Sequence, residues 1–142
     1  MDQEYTGRLL QTVRPAANTD VSDPQAVLHT MYDAVIQGNF EALGESLTDD
    51  AELHIHGFGA MDGSWRGRKD VVAAARKNFA LVDSQQPAIE RIISQGDSIV
   101  VLLAETGVLK ASGQAYSIRA VQWFTFNQGK IQRIDQIVAS RQ

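Results

Sequence analysis

Two histidines, His54 and His56, are spaced in a way that could support chemistry near neutral pH. They alternate with the apolar Leu53 and Ile55, a period typical of a half-buried strand, so both imidazoles share one face about 7 Å apart. A metal site needs a third ligand, and the chain has no cysteine and no evident carboxylate triad to supply one. Either the histidines are half-exposed opposite the core, or strand curvature turns His56 into a pocket mouth as a general base.

Two amides, Gln122 and Gln136, flank the last predicted turn. A two-residue turn would place Gln122 opposite Asp135, whereas a three-residue loop ending at Gly129 would place it opposite Ile134 and bring Gln136 onto the same face. Glutamine is poor where φ is positive, and Gly129 suits the bulged form. We therefore expect the three-residue loop.

In this register one sheet face is apolar except for two neutral amides, with no charged group on it. The amides can hydrogen-bond a carbonyl or hydroxyl ligand, or they can pair with each other or with water inside a core. An amide does not transfer protons near neutral pH, so this face is not expected to perform acid–base chemistry. The face comprises Tyr116, Ile118, Ala120, Gln122, Phe124, Ile134, Gln136 and Val138.

Helices are predicted before the sheet. Ser22 or Asp23 can cap a helix beginning at Pro24, and apolar spacing predicts further helices over 40–47 and 68–82. Strands are predicted over 51–56, 89–94, 98–109, 115–126 and 130–139. Helices followed by a hairpin meander indicate an α+β fold with an antiparallel sheet. Residues 1–22 lack periodicity and are predicted to be a flexible extension, with one domain over 23–142.

The composition of the chain limits the kinds of partner that the protein is expected to bind. The chain has 142 residues, a net charge of -4 and no cysteine. A net negative surface does not attract a phosphate backbone, so no nucleic-acid partner is expected. The longest apolar run, 99–104, is far too short for a membrane span, and the acidic N-terminus does not resemble a signal peptide. A soluble cytoplasmic protein is predicted.

The same apolar run predicts a homodimer. Residues 99–104 are apolar at both strand parities, so both sheet faces need cover there. Val121 and Trp123 lie on the parity opposite Phe124 and would extend such a contact. The alternative is that these residues pack under the N-terminal extension.

Four segments together resemble the NTF2-like superfamily, in particular its SnoaL-like, polyketide cyclase-related branch. They are MYDAVIQGN at 31–39 with LTDDA at 47–51, GSWRGRKDV at 63–71, and FTFNQGKI at 124–131. The resemblance covers about residues 24–140. It implies a cystatin-like conical half-barrel, in which three N-terminal helices and a strongly curved antiparallel sheet enclose a pocket, and it commonly implies a homodimer through the sheet.

The resemblance also shows which family residues are absent. The acid–base aspartate of SnoaL-like cyclases matches Gln136. The tyrosine, base aspartate and protonated aspartate of the ketosteroid isomerase branch match Met31, Ile55 and Gln122. The usual carboxylate chemistry is therefore not expected, and whether the protein is an enzyme stays open.

The implied function is binding of a small hydrophobic ligand, with or without a carbonyl group, and no cofactor. One alternative is an isomerase, cyclase, dehydratase or hydrolase that uses His56 or Tyr32 with Gln122; another is a non-catalytic dimerisation module. Tyr32 would reach the pocket rim or cap the core, and Trp65 would form a pocket wall or simply pack. The expected ligand-binding residues are Met31, Val35, Trp65, Phe79, Tyr116, Gln122, Phe124, Gln136 and Val138.

Overall fold

The computed structural model describes residues 23–140, with no side-chain description at position 140. These residues form three α-helices, α1 (Pro24–Ile36), α2 (Phe40–Glu45) and α3 (Arg68–Ala80), and a short 3-10 helix at Gly59–Met61. Asp23 caps α1, because its carboxylate accepts a hydrogen bond from the Gln25 amide at 2.9 Å. The predicted flexible extension, residues 1–22, lies outside the described residues.

Six strands follow or separate the helices: β1 (Leu47–His56), β2 (Gly63–Arg66), β3 (Val82–Gln95), β4 (Ser98–Leu109), β5 (Ala115–Asn127) and β6 (Lys130–Ser140). They pair in the order β2-β1-β6-β5-β4-β3, and every neighbouring pair is antiparallel except β1 and β6, which are parallel. The predicted α+β class and predominantly antiparallel sheet are confirmed. The conical half-barrel shape stays a prediction.

Two helices end earlier than predicted because their last predicted residues pair with distant strands instead. The predicted helix over 40–47 ends at Glu45, and Leu47 instead pairs with Ile131 of β6. The predicted helix over 68–82 ends at Ala80, and Val82 begins β3 opposite Leu109. Local apolar spacing cannot anticipate such pairing, since the partner residues lie far along the chain.

The edge strand β3 is longer than the predicted 89–94. It includes Pro87, which lies outside the predicted range. Proline is tolerated there because an edge strand has neighbours on one side only.

The predicted three-residue loop between β5 and β6 is wrong. Asn127 pairs with Lys130, so the turn contains only Gln128 and Gly129, with φ values of 52° and 80°. Positive φ at both central residues is typical of the hairpin turn whose twist matches its strands. The glutamine therefore accepts a backbone conformation that its intrinsic preference disfavours.

A register shift restores the predicted face. Phe126 pairs with Ile131 but Thr125 pairs with Arg133, so β6 has one extra residue at this point. Beyond it, Gln122 lies directly opposite Gln136 rather than Ile134. Gln136 thus shares a sheet face with Gln122 as predicted, although by a different route.

The two sheet faces differ sharply in burial. The inner face carries the buried Ile99, Val101 and Phe124 and packs in one core cluster with α1, α2 and α3. The outer face exposes Trp123 by 51% and Ile137 by 60%. The inner face is therefore where a cavity can form.

Candidate functional site

A cavity of about 170 Å³ opens between the inner sheet face and the helices. An apolar cavity of about 150 Å³ can hold benzene, so this one accommodates a ring-sized molecule. Its walls are mostly apolar. They are formed by Met31, Tyr32, Val35, Leu43, Leu53, Ile55, Phe58, Met61, Val71, Ala75, Asn78, Phe79, Val82, Gln85, Leu103, Glu105, Ile118, Ala120, Gln122, Phe124, Ile134 and Gln136.

A chain of hydrogen bonds crosses the sheet side of the cavity. The Tyr32 hydroxyl of α1 donates to Gln122 Oε1, and Gln122 Nε2 donates to Gln136 Oε1 at 2.9 Å. Burial, and secondarily the charge of Glu105, raise the pKa of Tyr32 well above its usual range. The phenol therefore stays protonated and acts as a donor rather than as a base.

Glu105 is the carboxyl group that the inner face was not expected to contain. It continues the alternation of Ile99, Val101 and Leu103 along β4 and reaches the same cavity. Its Oε2 accepts hydrogen bonds from the Tyr116 hydroxyl at 2.6 Å and from Gln85 Nε2 at 3.1 Å. The expectation of an inner face without charged groups is therefore wrong.

Burial raises the pKa of the Glu105 carboxyl, while the hydrogen bonds from Tyr116 and Gln85 partly lower it. Desolvation dominates because no cation lines the cavity within the described part of the chain. The sequence contains a signal for the inward position of Glu105. This residue directly follows the apolar run 99–104 and has the same strand parity as Leu103.

Most of the predicted ligand-binding residues lie together. Seven predicted site residues line the cavity: Met31, Tyr32, Val35, Phe79, Gln122, Phe124 and Gln136. Tyr116 lies outside this lining but contacts it through Glu105. Val138 is buried in the core and also lies outside the lining, so its predicted contact with a ligand is corrected.

His56 and Trp65 are two further corrections. Because Leu53 and Ile55 point into the core, the alternation of β1 puts His56 on the outer side, where it is exposed and outside the cavity lining. The strand does not turn it inwards, so it cannot serve as the base of this cavity. Trp65 pairs with Leu53 and lies across Gly63, where a Cβ would come within 2.8 Å of its ring; it packs and does not wall the cavity.

His54 belongs to a surface cluster. Its Nδ1 lies 2.8 Å from the Ser64 hydroxyl and its Nε2 lies 2.9 Å from Glu52 Oε1. The hydrogen bond from His54, and after it the charges of Arg66 and Arg133, hold the pKa of Glu52 below its usual range against the opposing effect of desolvation. These contacts orient an outward polar group, away from the cavity.

The fold and the cavity together define the class of protein. A six-stranded, mostly antiparallel sheet with three helices against one face and a cavity between them is the NTF2-like architecture, shared with solved NTF2-like proteins. The SnoaL-like domain family matches residues 28–134, and the chain belongs to that family.

Solved structures of similar fold carry different names. A proposed SnoaL-like polyketide cyclase from Jannaschia sp. CCS1 is 16% identical, with a TM-score of 0.72 over 88% of this chain and 90% of that one. A proposed isomerase from Rhodopseudomonas palustris is 16% identical, with a TM-score of 0.69 over 78% and 84%. An LEH-like epoxide hydrolase from M. tuberculosis is 16% identical, with a TM-score of 0.64 over 79% of each chain. At this identity the likeness establishes the fold alone.

No curated protein matches the chain. Among residues 23–140, no helix has the length and apolar character needed to cross a membrane.

Proposed function

We propose that this SnoaL-like protein binds a small, ring-sized hydrophobic molecule that carries a carbonyl or hydroxyl group. The observation that carries the proposal is the Tyr32–Gln122–Gln136 chain, which lies in a cavity whose remaining walls are largely apolar. Apolar walls with a few convergent polar groups are typical of small-molecule sites. The walls supply affinity, and the polar chain supplies orientation.

The direction of the chain determines which ligand groups it can bind. Tyr32 donates to Gln122, and Gln122 donates to Gln136, so the chain ends at the Gln136 amide nitrogen. Within the described residues no protein acceptor bonds that nitrogen, which leaves its two hydrogens for a ligand oxygen. The Tyr32 oxygen remains an acceptor for a ligand hydroxyl.

The first test replaces Gln136 with leucine, which has a similar volume. We expect the variant to bind acetophenone about tenfold more weakly than the wild type, because a buried ligand carbonyl loses its donor. Ligand-observed NMR titration measures the two dissociation constants.

Gln132→Leu is the matched control, since Gln132 lies on the same strand but bonds Asp50 at the surface. It should leave acetophenone binding unchanged. Equal binding by wild type and Gln136→Leu would remove the amide chain from recognition, and an absence of binding to the wild type would reject the proposed ligand class.

Of the residues predicted to be catalytic, only Tyr32 and Gln122 line the cavity, so an enzymatic function of this site would use these two side chains. The phenol keeps its single hydrogen and donates it to Gln122, so a ligand carbonyl would be polarised by the second amide hydrogen of Gln122, with Tyr32 holding that amide in place, and no proton would be abstracted. The names of the solved neighbours span cyclisation, isomerisation and epoxide hydrolysis, and they do not favour one reaction for this chain.

We further propose that the protein forms a homodimer through the outer sheet face. Apolar side chains form two adjacent rows across the strands: the exposed Val121 pairs with the exposed Ile137, and the exposed Trp123 pairs with the half-buried Val100. Large exposed apolar patches mark interaction surfaces. Ion pairs such as Arg133 with Asp135 lie next to the rows and suit the rim of an interface.

Trp123→Glu tests the dimer. We expect the wild type to behave as a dimer and the variant as a monomer in size-exclusion chromatography with light scattering, because an unpaired charge would be buried at the interface centre. Trp123→Phe keeps an aromatic ring and should remain dimeric. A monomeric wild type would refute the interface.

A further inference from the structure

We propose that the cavity binds a cationic amine, whose ammonium group pairs with Glu105. The inference rests on the proposed function, because it adds a charged group to the ligand of the same cavity. Nothing in the family assignment or in the names of the solved neighbours described above gives this residue a role.

The charge of the cavity lining is complementary to a cation. Glu105 is the one acidic side chain among the lining residues, and no lysine, arginine or histidine lines the cavity within the described chain. A carboxylate removed from water without a cation is unfavourable, and a ligand ammonium would supply the missing charge. The net charge of -4 adds a weak long-range preference for cations.

The hydrogen bonds of the Glu105 carboxyl group leave one of its oxygens unused by the described residues. Both of its hydrogen bonds, from Tyr116 and from Gln85, converge on Oε2. In the described part of the chain no donor is bonded to Oε1. One oxygen is thus anchored to the protein, and the other remains as an acceptor for a ligand N–H group.

The backbone next to Glu105 leaves room for the Tyr116 ring that holds the carboxyl group. Gly107 pairs with Tyr116, and a Cβ at Gly107 would come within 2.5 Å of the Tyr116 hydroxyl oxygen. The absence of a side chain at position 107 therefore lets the phenol lie across β4 and reach Glu105. Phe58 holds the same ring from another side, in an edge contact with centroids 5.4 Å apart.

The surroundings of Glu105 also suit a cation. Aromatic residues Tyr32, Phe58, Phe79 and Phe124 line the same cavity, and aromatic faces attract ammonium groups. Glu105 and Gln122 are four residues apart in pairing register, and the Tyr32 phenol donates to Gln122 and interacts with the charge of Glu105. A ligand could therefore place its amine and its oxygen at opposite ends.

The test compares benzylamine, a cation, with benzyl alcohol, its neutral analogue of nearly equal size. Calorimetric or NMR titration at pH 8 should give about a tenfold lower Kd for benzylamine with the wild-type chain. In Glu105→Gln the preference should disappear while benzyl alcohol still binds. Glu90→Gln is the matched control, because Glu90 pairs with Arg119 on the outer face, and it should keep the preference.

A pH series on the wild type keeps the test valid even if the variant folds poorly. The groups that interact with Glu105 are the phenols Tyr32 from α1 and Tyr116 from β5 and the neutral Gln85 from β3, and α3 adds the neutral Asn78 to the lining of the same cavity. Benzylamine stays protonated in acid, so its affinity should fall as the pH drops through the raised pKa of Glu105. Benzyl alcohol binding should stay level.

Equal binding of the two probes at pH 8, or a preference that survives Glu105→Gln, would overturn the amine assignment and leave the proposed function standing. If neither probe nor acetophenone binds the wild type, both the proposed function and this inference fail.

Discussion

Replacing Gly57 with alanine is expected to lower the free energy of unfolding by about 4 kcal/mol. Gly57 follows β1 with φ of +98°, a region that L side chains rarely adopt. A Cβ there would lie 2.0 Å from the carbonyl oxygen of Val138. Backbone cannot rotate away as a flexible side chain can, so β1 and β6 would have to separate.

The consequence extends to the cavity, because β6 carries Gln136 two residues before Val138. Urea denaturation followed by circular dichroism measures the loss. Gly59→Ala is the matched control: its φ is +71°, but a Cβ there meets nothing within 4 Å. Gly59→Ala should lower the free energy of unfolding by only about 1 kcal/mol, because the positive φ is its only unfavourable feature. Similar losses in the two variants would show that the close approach to Val138 is not the cause.

Strand periodicity predicted much of the sheet because its physical basis is local. β4 was predicted with its observed bounds, and the side chains of Leu53 and Ile55 point to the core as expected. Alternation works there because one face packs against helices and the other faces outward. The same reasoning placed Gln122 and Gln136 on one face.

The errors arose where a distant partner decides the local structure. Gln128 adopts positive φ because the two flanking strands need a tight, twisted turn, and this requirement outweighs the residue's own preference. The extra residue in β6 near Gln132 is likewise set by pairing with β5. Two local errors, in loop length and in the missing bulge, cancelled in the final orientation of Gln136.

Glu105 shows a different limit of sequence reasoning. A charged residue on an apolar strand face is usually taken to mark the end of burial, but here Tyr116 and Gln85 solvate the carboxyl inside the fold. Those partners come from β5 and β3 and could be recognised only once the register of both strands was known. The chemically most informative residue of the cavity was therefore the hardest to predict.

Phe124→Ala should lower the free energy of unfolding by about 4 kcal/mol and open the cavity floor. Phe124 is only 1% exposed, and its ring meets Tyr32 edge to face with centroids 6.0 Å apart. Truncation removes this contact and leaves a void that merges with the existing cavity. Because Tyr32 starts the hydrogen-bond chain, acetophenone binding should weaken as its orientation becomes less defined.

Trp123→Ala is the internal comparison for this loss, since Trp123 is the adjacent residue, has a larger side chain and points to the outer face. Trp123→Ala should lower the free energy of unfolding of a single subunit by less than about 1 kcal/mol. Urea denaturation over a range of protein concentrations measures this loss. Any further loss should grow with concentration, because the outer face contributes to association rather than to the core. If the two truncations cost the same in the dilute limit, the assignment of Phe124 to the cavity side and of Trp123 to the outer side would be contradicted, and with it the register that brings Gln122 and Gln136 together.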